Sequence, residues 1–110
     1  MLIVADDQGA SDIGYVDPEF STPNLDHLAK NGINLARMYA ASTCSPTRAS
    51  LLTGRYVNNI GVQDGPFVIG EGRALSLEYN LLPSMLKEEG YRTVGLGKWL
   101  YPCILSLSSV

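Results

Sequence analysis

The segment Cys44-Ser45-Pro46-Thr47-Arg48-Ala49-Ser50-Leu51-Leu52-Thr53-Gly54-Arg55 decides how the rest of the chain is read. Ser42 and Thr43 make a polar break before it. Pro46 suits the start of a helix, where its missing N–H is not needed, and Gly54 supplies a stop. The pattern predicts a short helix from Pro46 through Leu51 and Leu52, with Cys44 at its N-terminal mouth. Cys44 and Arg48 are four positions apart, so a helix beginning at Ser45 or Pro46 turns both toward one spot. Unpaired amide N–H groups, the helix dipole and a guanidinium fork suit that spot to a sulfate or phosphate. A lone cysteine also serves as a small buried hydrophobe, and the residues alone leave both roles open.

Toward the N-terminus, Leu2, Ile3, Val4 and Ala5 form a continuous apolar run that stops at Asp6 and Asp7, the pattern of a strand buried on both faces. Thr22 can cap a helix that Pro23 opens, in which Leu25, Leu28 and Ala29 share one face until Gly32. Ile33 to Ala40 reads as a second strand. Toward the C-terminus, glycines and short polar stretches from Arg55 to Ser76 predict an irregular connection. Pro83 then opens a helix with Leu82, Met85 and Leu86 on its apolar side and Lys87, Glu88 and Glu89 on its wet side, closed by Gly90. Thr93 to Leu96 is a third predicted strand, delivering Gly97, Lys98 and Trp99 to its carboxyl end. This order predicts an α/β domain with a mostly parallel sheet flanked by helices.

Ligands of such sheets bind beyond the carboxyl ends of the strands, which places Asp6, Asp7 and Lys98 together on that rim, with Cys44 reaching it through its loop. Adjacent carboxylates repel one another, and a divalent cation taking oxygen ligands compensates them; Ca²⁺ or Mg²⁺ is the expected ion. The plainer alternative is a turn in which one acid caps a helix. His27, beside Asp26, reads as a surface histidine, and Tyr15, Tyr39, Tyr56 and Trp99 as packing residues.

Composition bounds these readings. The 110 residues carry a formal net charge of −3, with 45% hydrophobic and 17% charged residues, as expected of one globular domain and not of a disordered or collagen-like chain. Eight scattered Lys and Arg residues make no nucleic-acid or membrane-surface footprint, so a small molecule is the expected partner. Cys44 and Cys103 make no dense disulfide pattern. Leu2 to Ala5 is too short for a signal-peptide core, and no stretch approaches the roughly 18 apolar residues of a membrane span. The chain opens directly on a strand-like run, which predicts a domain that starts upstream of Met1.

Cys44 to Arg55 resembles the sulfatase signature, C-x-P-S/T-x-R followed by L-T-G-R, at every fixed position. The surroundings resemble the type I sulfatase catalytic domain, in particular its arylsulfatase B-like branch. Ala5-Asp6-Asp7-Gln8-Gly9 with Asp12 to Tyr15 corresponds to its first metal motif, Thr22-Pro23-Asn24-Leu25 follows, and Gly90-Tyr91 leads to Gly97-Lys98-Trp99. The resemblance covers about nine-tenths of the chain, residues 1–99, and implies the N-terminal part of an alkaline-phosphatase-like domain.

The resemblance implies a chemistry as well. A formylglycine-generating enzyme would convert Cys44 to formylglycine, whose hydrate supplies the nucleophilic oxygen that attacks a sulfated carbohydrate or an aryl sulfate. Asp6, Asp7 and the converted Cys44 would hold Ca²⁺, Arg48 would orient residue 44, and Lys98 would stabilise charge on the sulfate. The family's compartment is lysosomal or secretory.

The likeness ends at Trp99. Family members continue G-K-W-H, whereas this chain has Leu100, then Tyr101-Pro102-Cys103-Ile104-Leu105 and a serine-rich end. The later Asp-Asn metal pair, second histidine and second lysine of the family have no counterpart. The expectation is a truncated sulfatase with a divergent tail over 100–110, and a non-catalytic remnant binding metal or anion is the alternative. A related metal-dependent phosphatase or phosphodiesterase is disfavoured by Cys44, because Ser or Thr usually stands there.

Overall fold

A computed structural model describes residues 1–63, 65, 75–76 and 78–98. The chain divides into two compact units, Met1–Tyr39 and Ala40–Val110.

Met1–Tyr39 contains one helix, α1 (Pro23–Asn31), with Pro23 in its first turn, Asp26 near its N-terminus and Lys30 in its last turn, both charges matched to the helix dipole. No residue of this unit is buried. The expected apolar face of α1 is open, with Leu25 44% and Leu28 64% exposed. Order comes from hydrogen bonds instead. Thr22 sits at the N-cap without capping. Its hydroxyl accepts the Gly14 N–H at 2.8 Å and donates to Asp26 Oδ1 at 2.7 Å. The same carboxylate oxygen accepts the Tyr15 N–H at 3.1 Å, so α1 holds the preceding loop through one acid.

Ala40–Val110 contains α2 (Cys44–Thr53), a 3₁₀ turn at Val57–Asn59 and α3 (Leu82–Glu88). Gly54 ends α2 in the left-handed conformation, φ 67°, and returns its N–H to the Ser50 carbonyl at 2.8 Å. The chain then turns so that Ile60 and Val62 join Ala49 and Leu75 in a small core, with Leu52, Val57, Tyr79 and Leu81 packed around it. The Arg55 guanidinium lies 5.4 Å from the centre of the Tyr79 ring, a cation–π contact at the edge of this core. α2 packs on both the 3₁₀ turn and α3. α3 begins and ends where Pro83 and Gly90 predict, but Met85 and Leu86 face outward, and Leu81 carries the packing expected of them.

The predicted strands are not formed among the described residues. Residues 2–5, 33–40 and 93–96 run without a ladder partner, and Leu2, Ile3, Ile33 and Leu96 are exposed. A strand is stable only when its N–H and C=O groups pair with a neighbour, so apolar continuity by itself does not make one. No described helix is long and apolar enough to cross a membrane.

The position a Cβ would take at Gly54 has nothing within 4 Å. Gly54→Ala therefore meets only the backbone penalty and is expected to cost about 1–2 kcal/mol in urea unfolding, with Gly54→Asn costing less.

Candidate functional site

α2 starts two residues earlier than its proline suggests. Thr43 is the N-cap, extended at φ −140° and ψ 167°, and Cys44 is the first helical residue, which puts Pro46 at the third. Proline is tolerated there because that N–H also lacks an intrahelical partner. The shift has a consequence for Thr43. An N-cap hydroxyl ordinarily accepts from the second or third N–H of its helix, and the third is absent. Thr43 Oγ1 is buried with no hydrogen-bond partner among the described residues. The Thr43 carbonyl, in contrast, is taken twice, by the Thr47 N–H at 3.2 Å and the Thr47 hydroxyl at 2.8 Å.

Cys44 is free and half-buried at this mouth. Ser45, Pro46, Arg48 and Ala49 behind it are buried. Arg48 follows Cys44 by one turn, as the spacing predicts. The residue is 9% exposed, and its guanidinium donates from Nη1 to the Lys98 carbonyl. A charged side chain on so buried a residue needs such an acceptor, because desolvating a charge without one is costly. The structure thus brings Lys98 to Arg48 through the main chain rather than at the end of a strand, while the residue itself is exposed.

Asp6 and Asp7 lie exposed in the Met1–Tyr39 unit. Asp7 adopts φ 53°, a left-handed conformation. Two carboxylates are hard oxygen donors of the kind Ca²⁺ takes, and they fit part of its shell of six to eight oxygens. Among the described residues no group of three or more His, Cys, Asp and Glu is gathered around them. Trp99 and Leu100 lie outside the described residues.

Two residues, one in each unit, were not singled out from sequence. Thr43 was legible in principle, because Thr followed by Pro three positions later announces a cap without its usual donor. Asp26 gave no such signal, since its partner Tyr15 lies eleven residues earlier and is reached through a loop.

A family model described as Sulfatase matches residues 1–101. The chain belongs to the sulfatase family. It is 40% identical over 99 residues to arylsulfatase J of Mus musculus, covering 90% of this chain and 17% of that protein. Identity to arylsulfatase A of Homo sapiens is 42% over 101 residues, covering 90% and 20% respectively. Arylsulfatase G of Mus musculus is likewise 42% identical over 101 residues, covering 90% of this chain and 19% of its own. The chain spans about a fifth of the length of these relatives. No solved structure matches it. Sulfatase membership implies an alkaline-phosphatase-like domain; the helices described above are present, and the sheet is not seen among the described residues.

In this sulfatase chain Arg48→Ala is expected to lower the unfolding free energy by about 1–3 kcal/mol and to speed tryptic cleavage after Lys98 in a timed digest read by mass spectrometry. An unchanged digest would mean that other contacts hold the Lys98 segment.

Proposed function

We propose that the chain carries part of a sulfatase active site that hydrolyses sulfate esters of a sugar or an aryl alcohol, built on residue 44. The observation that supports this best is the placement of Cys44 and Arg48 one turn apart at the start of α2, within a C-x-P-x-R segment that falls inside the family match. Formylglycine, made from Cys44 by a formylglycine-generating enzyme, supplies an oxygen nucleophile that the thiol does not. Asp6 and Asp7, with the converted Cys44, would hold calcium, whose positive charge would polarise a bound sulfate.

The other roles belong to the chain itself. The first-turn amides of α2 and the Arg48 guanidinium bind the sulfate oxygens and offset their charge, and Arg48 orients residue 44 from one turn behind it. Lys98 places an ammonium where negative charge grows as the ester bond breaks. The substrate's alcohol portion is recognised by other segments. A lysosomal or secretory setting follows the family.

A second reading is favoured by one residue. Leu100 stands where the family carries histidine, and it cannot move a proton, so a chain that binds ion or anion without turnover is the alternative.

Co-expression with a formylglycine-generating enzyme is expected to remove ~18 Da at Cys44 and to give hydrolysis of an aryl sulfate, with Cys44→Ala losing both. Conversion without hydrolysis supports the binding-only reading. Failure to convert removes residue 44 as the source of the nucleophile.

A further inference from the structure

Asp7 is the one non-glycine residue at positive φ among the described residues, and it is one of the three proposed metal ligands, with Asp6 and the converted Cys44. Asp tolerates the left-handed conformation better than most non-glycine residues, but the conformation is still disfavoured, so a restraint nearby helps to hold it. Packing does not, because no residue of Met1–Tyr39 is buried. The next turn of chain does carry a restraint. Asp12 Oδ2 accepts the Gly9 N–H at 2.7 Å, the Asp12 N–H returns to the Gly9 carbonyl at 3.1 Å, and Gln8 Nε2 donates to the Asp12 carbonyl at 3.3 Å. A hydrogen bond to a charged acceptor is stronger than one between neutral groups, and this one closes the turn that follows Asp7. Glycine at position 9 is part of the device, since a Cβ there would come within 2.7 Å of Asp12 Oδ2 and push the carboxylate away.

We propose that Asp12 is a positioning residue for the metal-binding pair: its carboxylate closes the Gly9–Asp12 turn and so fixes the backbone of Asp7 from two residues beyond it. Asp12 acts through the chain and not as a ligand, and Gln8 and Gly9 are its accessories. This rests on the reading of Asp6 and Asp7 as calcium ligands. Carboxylates that fix the ligands of a metal, without touching it, typically affect affinity 10- to 100-fold.

The test is calorimetric titration of the full chain with calcium chloride, together with hydrogen exchange at the Gly9 amide and far-ultraviolet circular dichroism of each variant. The unaltered chain is expected to bind calcium, and Asp7→Asn to lose it. Asp12→Ala and Gly9→Ala are both expected to weaken binding by about 10- to 100-fold and to speed exchange at position 9, with α1 retained. Asp12→Asn keeps an oxygen that accepts the Gly9 N–H and is expected to retain most of the affinity. Unchanged affinity in both Asp12→Ala and Gly9→Ala would overturn the proposal while leaving the metal pair intact. An Asp12→Asn loss as large as that of Asp7→Asn would make Asp12 a ligand and overturn it too. An unaltered chain that takes up no calcium would remove the metal reading itself, and the role of Asp12 with it.

Discussion

The bond from the Arg48 guanidinium to the Lys98 carbonyl joins segments fifty residues apart, and the Ala40–Val110 unit is organised around the helix that makes it. α2 does three things along ten residues. Its first turn presents Cys44, its middle buries Ala49 in the core, and its end hands the chain to the 3₁₀ turn through Gly54. Arg48 and Ala49 are adjacent in sequence yet divide these tasks, since consecutive helix residues point about 100° apart. The candidate site and the core are thus built on one rigid element, and a change to either is felt by the other.

The helices were legible because proline and glycine mark their ends. Pro23 and Pro83 fall in first turns, and Gly54 and Gly90 fall just beyond last turns, where each residue's backbone restriction or freedom is useful. Pro46 misled by two positions for the same reason: the first several N–H groups of a helix are all unpaired, so proline fits any of them. The strands were not legible. Whether an apolar run such as Leu2 to Ala5 becomes a strand is decided by neighbours elsewhere in the chain, and its own residues record only that it could be buried.

The same division runs through the candidate site. The Cys44–Arg48 relation is helical geometry and could be read from spacing. The Arg48–Lys98 bond uses a main-chain carbonyl, which every residue has, so no side-chain pattern announces it. The acceptor roles of Asp12 and Asp26 depend on turns and loops that bring the Gly9 and Tyr15 amides to them. Family membership supplies what neither spacing nor local geometry does, the chemistry expected of residue 44.

The absence of buried residues in Met1–Tyr39 also bears on how this unit melts. The heat-capacity increase on unfolding, and the steepness of a denaturant transition, both scale with surface newly exposed to water. Melting this unit exposes little, so a scanning calorimeter would register the Ala40–Val110 core and pass almost silently over α1 and its loop. The order of the N-terminal unit instead rests on the hydrogen bonds that its carboxylates accept, and a strongly hydrogen-bonding cosolvent competes for those directly.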